Sequence, residues 1–498
     1  MYRLRLRKRG NLFQSLVKHA LLAFSSRVIN QLGYAVLFFV ISRQQDAGAA
    51  GVFALAMRYF ALFAILALWG LEGYLIREIS ANPLNTRRLL ANSILSRLVF
   101  ATSAIFLLYV FLKTRSDYKA DVESVILLMA LGIVPEVINR LFQAVFIAHQ
   151  RFAYPLAIAS VLCVIRIVCG VYWITIHSSL ETIAFSLSMI GLLGVLLSVY
   201  FYRSLAHALT SSISTSSGLD FTRHSWFNGQ AYHSEISKAT PFALMEIFIS
   251  IEQQADIFIL SFLSSEDQIG YYAAAQMIVS LLSFIQFGYY AGLFPMMTRL
   301  FHHDQEKLWT LYRRLYRYAG FLIFSAALLF TLLARPIIHW IFTDAYDPAV
   351  LVMGWLVWGL ALQLLDEPNS RLIVISGHQN QVTGFLAVSM VLNILFNLFF
   401  ISRFGIAGAA MAKLASKLVF TTLNGLFVYL HVSRINLLPT LGKLGIGAIA
   451  ASAILIKIPL ENLWFRAFTA GIFYLSITVL LGIVKPNEIS RLITRKGY

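Results

Sequence analysis

Four arginines lie deep inside long apolar segments of this sequence. Each stands about 9 to 13 residues from the end of its segment, which at 1.5 Å per residue is roughly 14–20 Å of helix. They are Arg27, Arg58, Arg97 and Arg166. A charge at that depth of a membrane costs about 2.5–3.5 kcal/mol, and the planar guanidinium suits phosphate oxygens. We therefore predict a hydrated basic cavity that binds a pyrophosphate or an acidic sugar; local pairing that stabilises helix packing is the open alternative.

Two polar stripes at helical spacing run through other apolar faces. Gln31 and Tyr34 follow Arg27 at i+4 and i+7 on the first segment. The second stripe consists of Lys413, Lys417, Thr421 and Asn424. Amide, hydroxyl and aromatic groups bind sugars, so both stripes are predicted to line the cavity, with Lys413 and Lys417 among its basic substrate-binding residues. Polar stripes also hold membrane helices together, and that alternative stays open.

The acidic residues inside apolar segments suggest how transport could be driven. Glu246 and Asp366 are the candidates for exchanging a coupling H⁺ or Na⁺, because an embedded carboxylate commonly has this role in secondary transporters. The alternative is ion pairing, including pairing with Lys413 or Lys417. Arg140 stands four residues after Glu136, a spacing that predicts a structural ion pair.

No group of residues has the pattern of a catalytic or metal site. The sequence has no Gly-x-x-x-x-Gly-Lys-Ser/Thr motif for nucleotide phosphates, and His302-His303-Asp304 in a basic loop indicates a solvated turn. We therefore expect no catalytic residue, no metal and no cofactor apart from a coupling ion, and a protein that is not an enzyme.

The composition indicates the class of protein that must position these residues. Of the 498 residues, 59% are hydrophobic and 13% are charged, whereas soluble proteins carry about 25% charged residues. This excludes a soluble enzyme, a disordered scaffold and a secreted disulfide-rich protein. In a membrane protein, the net charge of +17 indicates anionic lipids and an anionic ligand rather than nucleic acid.

Fourteen apolar segments predict an all-α polytopic membrane protein. Each is far longer than the alternating strands of a β-barrel and is apolar on every face. The segments lie at about 15–41, 48–72, 88–112, 123–148, 153–176, 181–203, 240–263, 268–295, 316–334, 348–375, 380–401, 406–431, 441–459 and 463–484.

The distribution of lysine and arginine predicts the topology. With the N-terminus inside, 25 of the 40 basic residues fall on the cytoplasmic side, eight outside and seven within the membrane. Both termini are then cytoplasmic.

A long Ser-rich connector predicts the domain organisation. We expect an N-terminal six-helix lobe at 1–203, a cytoplasmic linker at 204–239, a C-terminal six-helix lobe at 240–431, and a final helix pair with a basic tail at 432–498. Six helices is an even number, so the lobes form a parallel repeat. The pattern Gly-x-aromatic-Ala-x-Ala at Gly51 recurs at Gly270, at an offset of 219 residues.

Several segments, taken in order, resemble the multidrug/oligosaccharidyl-lipid/polysaccharide exporter superfamily, most closely its O-antigen (Wzx-type) flippases. The resemblance rests on Ser42-Arg43 with the segment from Ala50 to Ala56, on Pro241 with Asp256 to Leu260, on Ile269 to Ala275 with Pro295, and on Gly377 to Asn380 with Asn393, Asn397 and Phe404 to Ala410. Together these motifs extend over nearly the whole chain.

The resemblance implies an activity, a compartment and partners. It implies a multi-pass protein of the bacterial inner membrane in which two lobes enclose a central cavity with alternating access. The expected substrate is an undecaprenyl-pyrophosphate-linked oligosaccharide, such as a lipopolysaccharide O-antigen, capsule or exopolysaccharide unit, moved from the cytoplasmic to the periplasmic leaflet. Polymerase and chain-length proteins of the same pathway are expected partners. The alternatives are a cation-coupled drug antiporter of the same superfamily, and a membrane polysaccharide polymerase or acyltransferase.

The topology can be tested with reporter fusions. We expect a fluorescent protein to be active after residue 230, in the predicted cytoplasmic linker, and alkaline phosphatase to be active after residue 117, in a predicted external loop. The opposite pattern of activities would contradict the predicted orientation.

Overall fold

The computed structural model of the protein describes residues 2–115, 118–213, 229–457 and 463–483, and every regular element in these ranges is helical. The first nine helices are α1 (Tyr2–Gln44), α2 (Ala47–Leu68), α3 (Leu71–Ala81), α4 (Thr86–Lys113), α5 (Ala120–Ala130), α6 (Ile133–Ala148), α7 (Ala153–Thr175), α8 (Leu180–Ile213) and α9 (Gly229–Leu263). The others are α10 (Glu266–Leu282), α11 (Phe284–His303), α12 (Gln305–Arg314), α13 (Gly320–Leu332), α14 (Ala334–Ile341), α15 (Pro348–Ile375), α16 (Gln379–Phe427), α17 (Leu438–Lys457) and α18 (Leu463–Leu480). The all-α prediction is confirmed.

The helices have the length and surface of membrane spans. Within the described ranges, ten helical stretches are long and apolar enough to cross a bilayer, and two shorter apolar helices follow near the C-terminus. On α7 the large apolar residues Val161, Val164, Val168 and Tyr172 are exposed, while Leu162 and Arg166 are buried. A helix that exposes large apolar side chains and buries its one charged residue, Arg166, has the arrangement that hydrocarbon favours. The protein is therefore a multi-pass membrane protein.

Several predicted segments are interrupted. The second breaks at Trp69 and Gly70, both of which have left-handed backbone angles, before α3 begins. The segment at 123–148 divides into α5 and α6 just before Pro135, whose ring nitrogen has no hydrogen to donate to the preceding turn. The segments at 380–401 and 406–431 form one helical run that bends at Gly405, where φ is 58° and ψ is −136°. At these positions the backbone departs from regular α-helical geometry.

The chain forms two compact units. One comprises 1–261 and 265–270, and the other comprises 262–264 and 271–498. In the first unit, Leu37, Phe53 and Tyr59 are almost fully buried; in the second, Tyr312, Phe324 and Tyr474 belong to one apolar cluster. Residues 214–228 of the predicted linker, and the tail after 483, lie outside the described residues. The predicted division into lobes, linker and helix pair stays a prediction.

The two repeated glycine motifs meet in the first unit. Helices α2 and α10 begin at Ala47 and Glu266, which are separated by the same 219 residues as Gly51 and Gly270. A Cβ atom added to Gly51 would overlap the carbonyl oxygen of Glu266, and one added to Gly270 would overlap that of Ala47. The contact is therefore reciprocal between equivalent positions, and it requires glycine at both.

Substitution of Gly51 tests this contact. Gly51→Ala should destabilise the protein by about 1–3 kcal/mol, because the new methyl group meets main-chain atoms that cannot move aside. The measurement is thermal unfolding of the purified protein in lipid nanodiscs. Gly384→Ala in α16 is the matched control, because nothing lies within 4 Å of its added Cβ. Equal melting temperatures for the two variants would contradict the packing argument.

Candidate functional site

The four predicted arginines all belong to the first unit, but their surroundings differ. Arg27 on α1 is exposed, and Arg58 on α2 is half-buried. Nη1 of Arg58 donates a hydrogen bond of 2.8 Å to Oε1 of Gln254 on α9. Arg97 on α4 is completely buried.

Arg166 connects α7 to α1. Its Nη1 donates to the main-chain oxygen of Asn30 at 3.3 Å and to Oδ1 of the same residue at 3.1 Å. Its guanidinium carbon lies 3.8 Å from the centre of the Tyr34 ring, within the range of a cation–π interaction. The side chain is 7% exposed. These contacts favour the structural alternative for Arg166, and they place Tyr34 against a guanidinium.

Arg97 is the most deeply buried of the four arginines. All three of its guanidinium nitrogens are buried without a hydrogen-bond acceptor among the described residues. The hydroxyl of Ser93, one turn earlier on the same face of α4, is also buried without a hydrogen-bond partner among the described residues. The same holds for the indole nitrogen of Trp69. The Trp69 ring lies 5.6 Å from the ring of Phe100, which places the α2–α3 break against this face of α4.

Acidic residues surround this part of the first unit. Arg140 on α6 forms the predicted ion pair with Glu136, Nε to Oε1 at 2.9 Å, so that expectation is confirmed. Its Nη1 also lies 3.6 Å from Oε2 of Glu72, the second residue of α3. Glu246 on α9 is half-buried, and the charges of Glu72, Arg97 and Arg140 act on it. Sequence reasoning missed Glu72, which lies at the start of α3, just after the break at Trp69 and Gly70.

The second unit contains a buried carboxylate held by neutral groups. Asp366 on α15 is 3% exposed. Its Oδ2 accepts hydrogen bonds from the Ser370 hydroxyl at 2.6 Å and from Nδ2 of Asn424 at 2.8 Å. Nδ2 of Asn369 is 3.4 Å from its Oδ1, and the Tyr312 hydroxyl donates to Oδ1 of Asn369 at 2.6 Å. No basic side chain forms an ion pair with Asp366 in the part of the chain that the structure describes.

The remaining predicted residues lie on α1 and α16. Gln31, Lys413, Lys417 and Thr421 are half-buried, whereas Asn424 is fully buried and hydrogen-bonded to Asp366. The Thr421 hydroxyl is buried without a partner in the described ranges. The roles of these residues in lining a cavity stay predictions. Asn369, Ser370 and Tyr312 were missed, although the i, i+4 spacing of Asp366 and Ser370 on one helix is a signal that could have found Ser370.

Solved structures with a similar fold are membrane transporters. The lipid II flippase MurJ, in an inward closed conformation, superposes with a TM-score of 0.68 at 13% identity, covering 93% of this chain and 98% of that chain. A multidrug resistance MATE family transporter of the MOP superfamily, in an inward-facing conformation, gives 0.66 at 15% identity, covering 83% and 98%. At these identities the likeness shows the fold.

Sequence comparison extends the match. A curated relative, the uncharacterized membrane protein MJ1068 of Methanocaldococcus jannaschii, is 24% identical over 45% of this chain. The chain spans about half the length of that relative, 46%. The MatE family model matches residues 241–399. The model described as "Polysaccharide biosynthesis protein" matches residues 16–301, more than half of the 498 residues. The chain thus belongs to the polysaccharide biosynthesis protein family, which confirms the resemblance predicted from the sequence at this level.

Proposed function

We propose that the protein is a flippase that moves an undecaprenyl-pyrophosphate-linked oligosaccharide from the cytoplasmic to the periplasmic leaflet. The family match, residues 16–301, indicates a role in polysaccharide biosynthesis. The fold is shared with a protein described as a lipid II flippase. The substrate would be an O-antigen, capsule or exopolysaccharide unit, and the location the bacterial inner membrane with both termini cytoplasmic. Polymerase and chain-length proteins of the same pathway are the proposed partners.

The observation that carries this proposal is the set of arginines within the apolar helices of the first unit. Arg58 is half-buried, and its Nη1 donates to the neutral amide oxygen of Gln254, a contact that does not cancel its positive charge. Arg27 is exposed on α1. A guanidinium held in this way can bind the oxygens of a pyrophosphate bidentately, and a low-dielectric surrounding strengthens that bond. Lys413 and Lys417 on α16 are proposed as basic substrate-binding residues of the second unit.

Asp366 is the proposed coupling residue of the second unit. Its carboxylate is buried, and the groups that bond to it are the amides and hydroxyls of Asn369, Ser370 and Asn424. Neutral donors stabilise a carboxylate without supplying the compensating positive charge, so the site suits either a proton or Na⁺. Driving the cycle by exchange of such an ion would make the flippase a secondary transporter.

A cation-coupled drug antiporter is the second candidate. The MatE model match at residues 241–399 and the fold shared with MATE transporters favour it. A cavity for cationic drugs needs acidic or aromatic groups, whereas Arg27 and Arg58 would repel a cation. The arginine variants described next separate the two functions.

Loss of the exposed and half-buried arginines should abolish glycan export. We expect Arg27→Ala and Arg58→Ala to reduce surface polysaccharide at least tenfold with normal amounts of protein in the membrane, because the pyrophosphate loses its counter-charge. The measurement is surface glycan in cells complemented with each variant. Arg58→Lys is the matched control and should retain partial export. Export that survives both alanine substitutions would contradict a basic binding site.

Substitution of Asp366 tests ion coupling separately. Asp366→Asn keeps the size of the side chain and removes the titratable group, so we expect transport in proteoliposomes to lose its dependence on an imposed H⁺ or Na⁺ gradient. Binding of the lipid-linked substrate should be retained. An unaltered dependence on the gradient would remove Asp366 as the coupling residue.

A further inference from the structure

The buried guanidinium of Arg97 needs hydrogen-bond acceptors that its described neighbours do not supply. It is 0% exposed, and Nε, Nη1 and Nη2 are all without a partner among the described residues. The Ser93 hydroxyl, one turn before Arg97 on α4, and the Trp69 indole N–H are also unpartnered in the described ranges, and the Trp69 ring lies 5.6 Å from the ring of Phe100 on the same helix. A buried donor without an acceptor is strongly unfavourable. This set of donors therefore suits a ligand rich in acceptor oxygens.

The charges around Arg97 come from three elements. Glu72 is on α3, Arg140 is on α6 and Glu246 is on α9; the charge of each acts on Arg97. The titratable and charged groups that face Glu246 are Glu72 on α3, Arg97 on α4 and Arg140 on α6. Helix α9 packs closely here, because a Cβ on Gly70 would overlap the main-chain nitrogen of Ala243. The charges are thus held by packed helices.

The charges of this cluster do not balance when all groups are ionised. Arg140 is paired with both Glu136 and Glu72. With Arg97 and Glu246 included, two guanidinium groups face three carboxylates, which leaves one negative charge. Among the described residues, Glu246 forms no ion pair or hydrogen bond, so it is the carboxylate most free to accept a proton. A single proton on Glu246 makes the cluster neutral, which the interior of a membrane favours.

We propose that Glu246 and the anionic headgroup of the substrate are alternative counter-ions of Arg97, so that headgroup binding is coupled to protonation of Glu246. With Glu246 ionised, the net negative cluster repels a pyrophosphate. With Glu246 protonated, the cluster is neutral, and the N–H groups of Arg97 and Trp69 and the Ser93 hydroxyl are available to phosphate oxygens. One proton is taken up when the ligand binds and is released when it leaves. The inference rests on the proposed flippase function and adds a proton site in the first unit.

The test measures binding of undecaprenyl pyrophosphate to the full-length protein in nanodiscs as a function of pH. Where one proton is taken up per ligand, the affinity falls about tenfold for each pH unit above the pKa of Glu246. Proton uptake is measured directly from heats of binding in buffers of different ionisation enthalpy. Because the pyrophosphate also titrates, the contribution of Glu246 is the difference between the wild type and Glu246→Gln. We expect that variant to bind with a weaker pH dependence and about one proton fewer.

Two further variants sharpen the result. Glu235→Gln, on the same helix and hydrogen-bonded to Asn92, is the matched control and should keep the wild-type pH dependence. Glu72→Gln removes one negative charge permanently, so it should bind tightly at high pH without the proton. If Glu246→Gln keeps the wild-type pH dependence and proton uptake, the coupling is wrong and the flippase proposal stands. If the wild type binds no undecaprenyl pyrophosphate at any pH, the flippase proposal itself is wrong.

Discussion

The arrangement of this protein depends on one constraint: a charge inside a membrane needs a compensating group. Arg97 shows the constraint most clearly, since it is fully buried and none of its nitrogens has an acceptor among the described residues. The charges of two acidic residues, Glu72 on α3 and Glu246 on α9, act on this guanidinium. Glu72 follows the α2–α3 break directly and also pairs with Arg140. The ion pairs of Arg140 and the unpartnered donors of Arg97 therefore reflect the same need for compensating charge.

The two compact units surround their buried charged groups with different kinds of side chain. In the first, guanidinium groups face carboxylates, neutral amides and the Tyr34 ring. In the second, the Asp366 carboxylate is surrounded by the amide and hydroxyl groups of Asn369, Ser370 and Asn424. Guanidinium groups select anions, and a carboxylate with neutral partners selects a proton or a small cation. This difference is what a carrier of an anionic lipid-linked glycan driven by a cation would require.

The sequence was sufficient to predict that the apolar segments are helical, because a segment of membrane length satisfies its own backbone groups only as a helix. It also predicted the Arg140–Glu136 pair, since a spacing of four residues determines proximity on one helix. It could not show that Glu72 would join this pair, because the break at Trp69 and Gly70 depends on how closely α9 approaches. For the same reason, the stripe spacing of Asn424 on α16 did not reveal its bond to Asp366 on α15. Contacts between helices depend on packing, which spacing along one helix does not encode.

The central claim is that the protein moves a pyrophosphate-linked glycan across a bilayer. The most direct measurement uses proteoliposomes that contain the purified protein and a fluorescently labelled undecaprenyl-pyrophosphate oligosaccharide, followed by a membrane-impermeant quencher. The account predicts that the lipid of the inner leaflet becomes accessible to the quencher at a rate proportional to the amount of protein. Labelled lipid that stays protected, as in vesicles without protein, would contradict it.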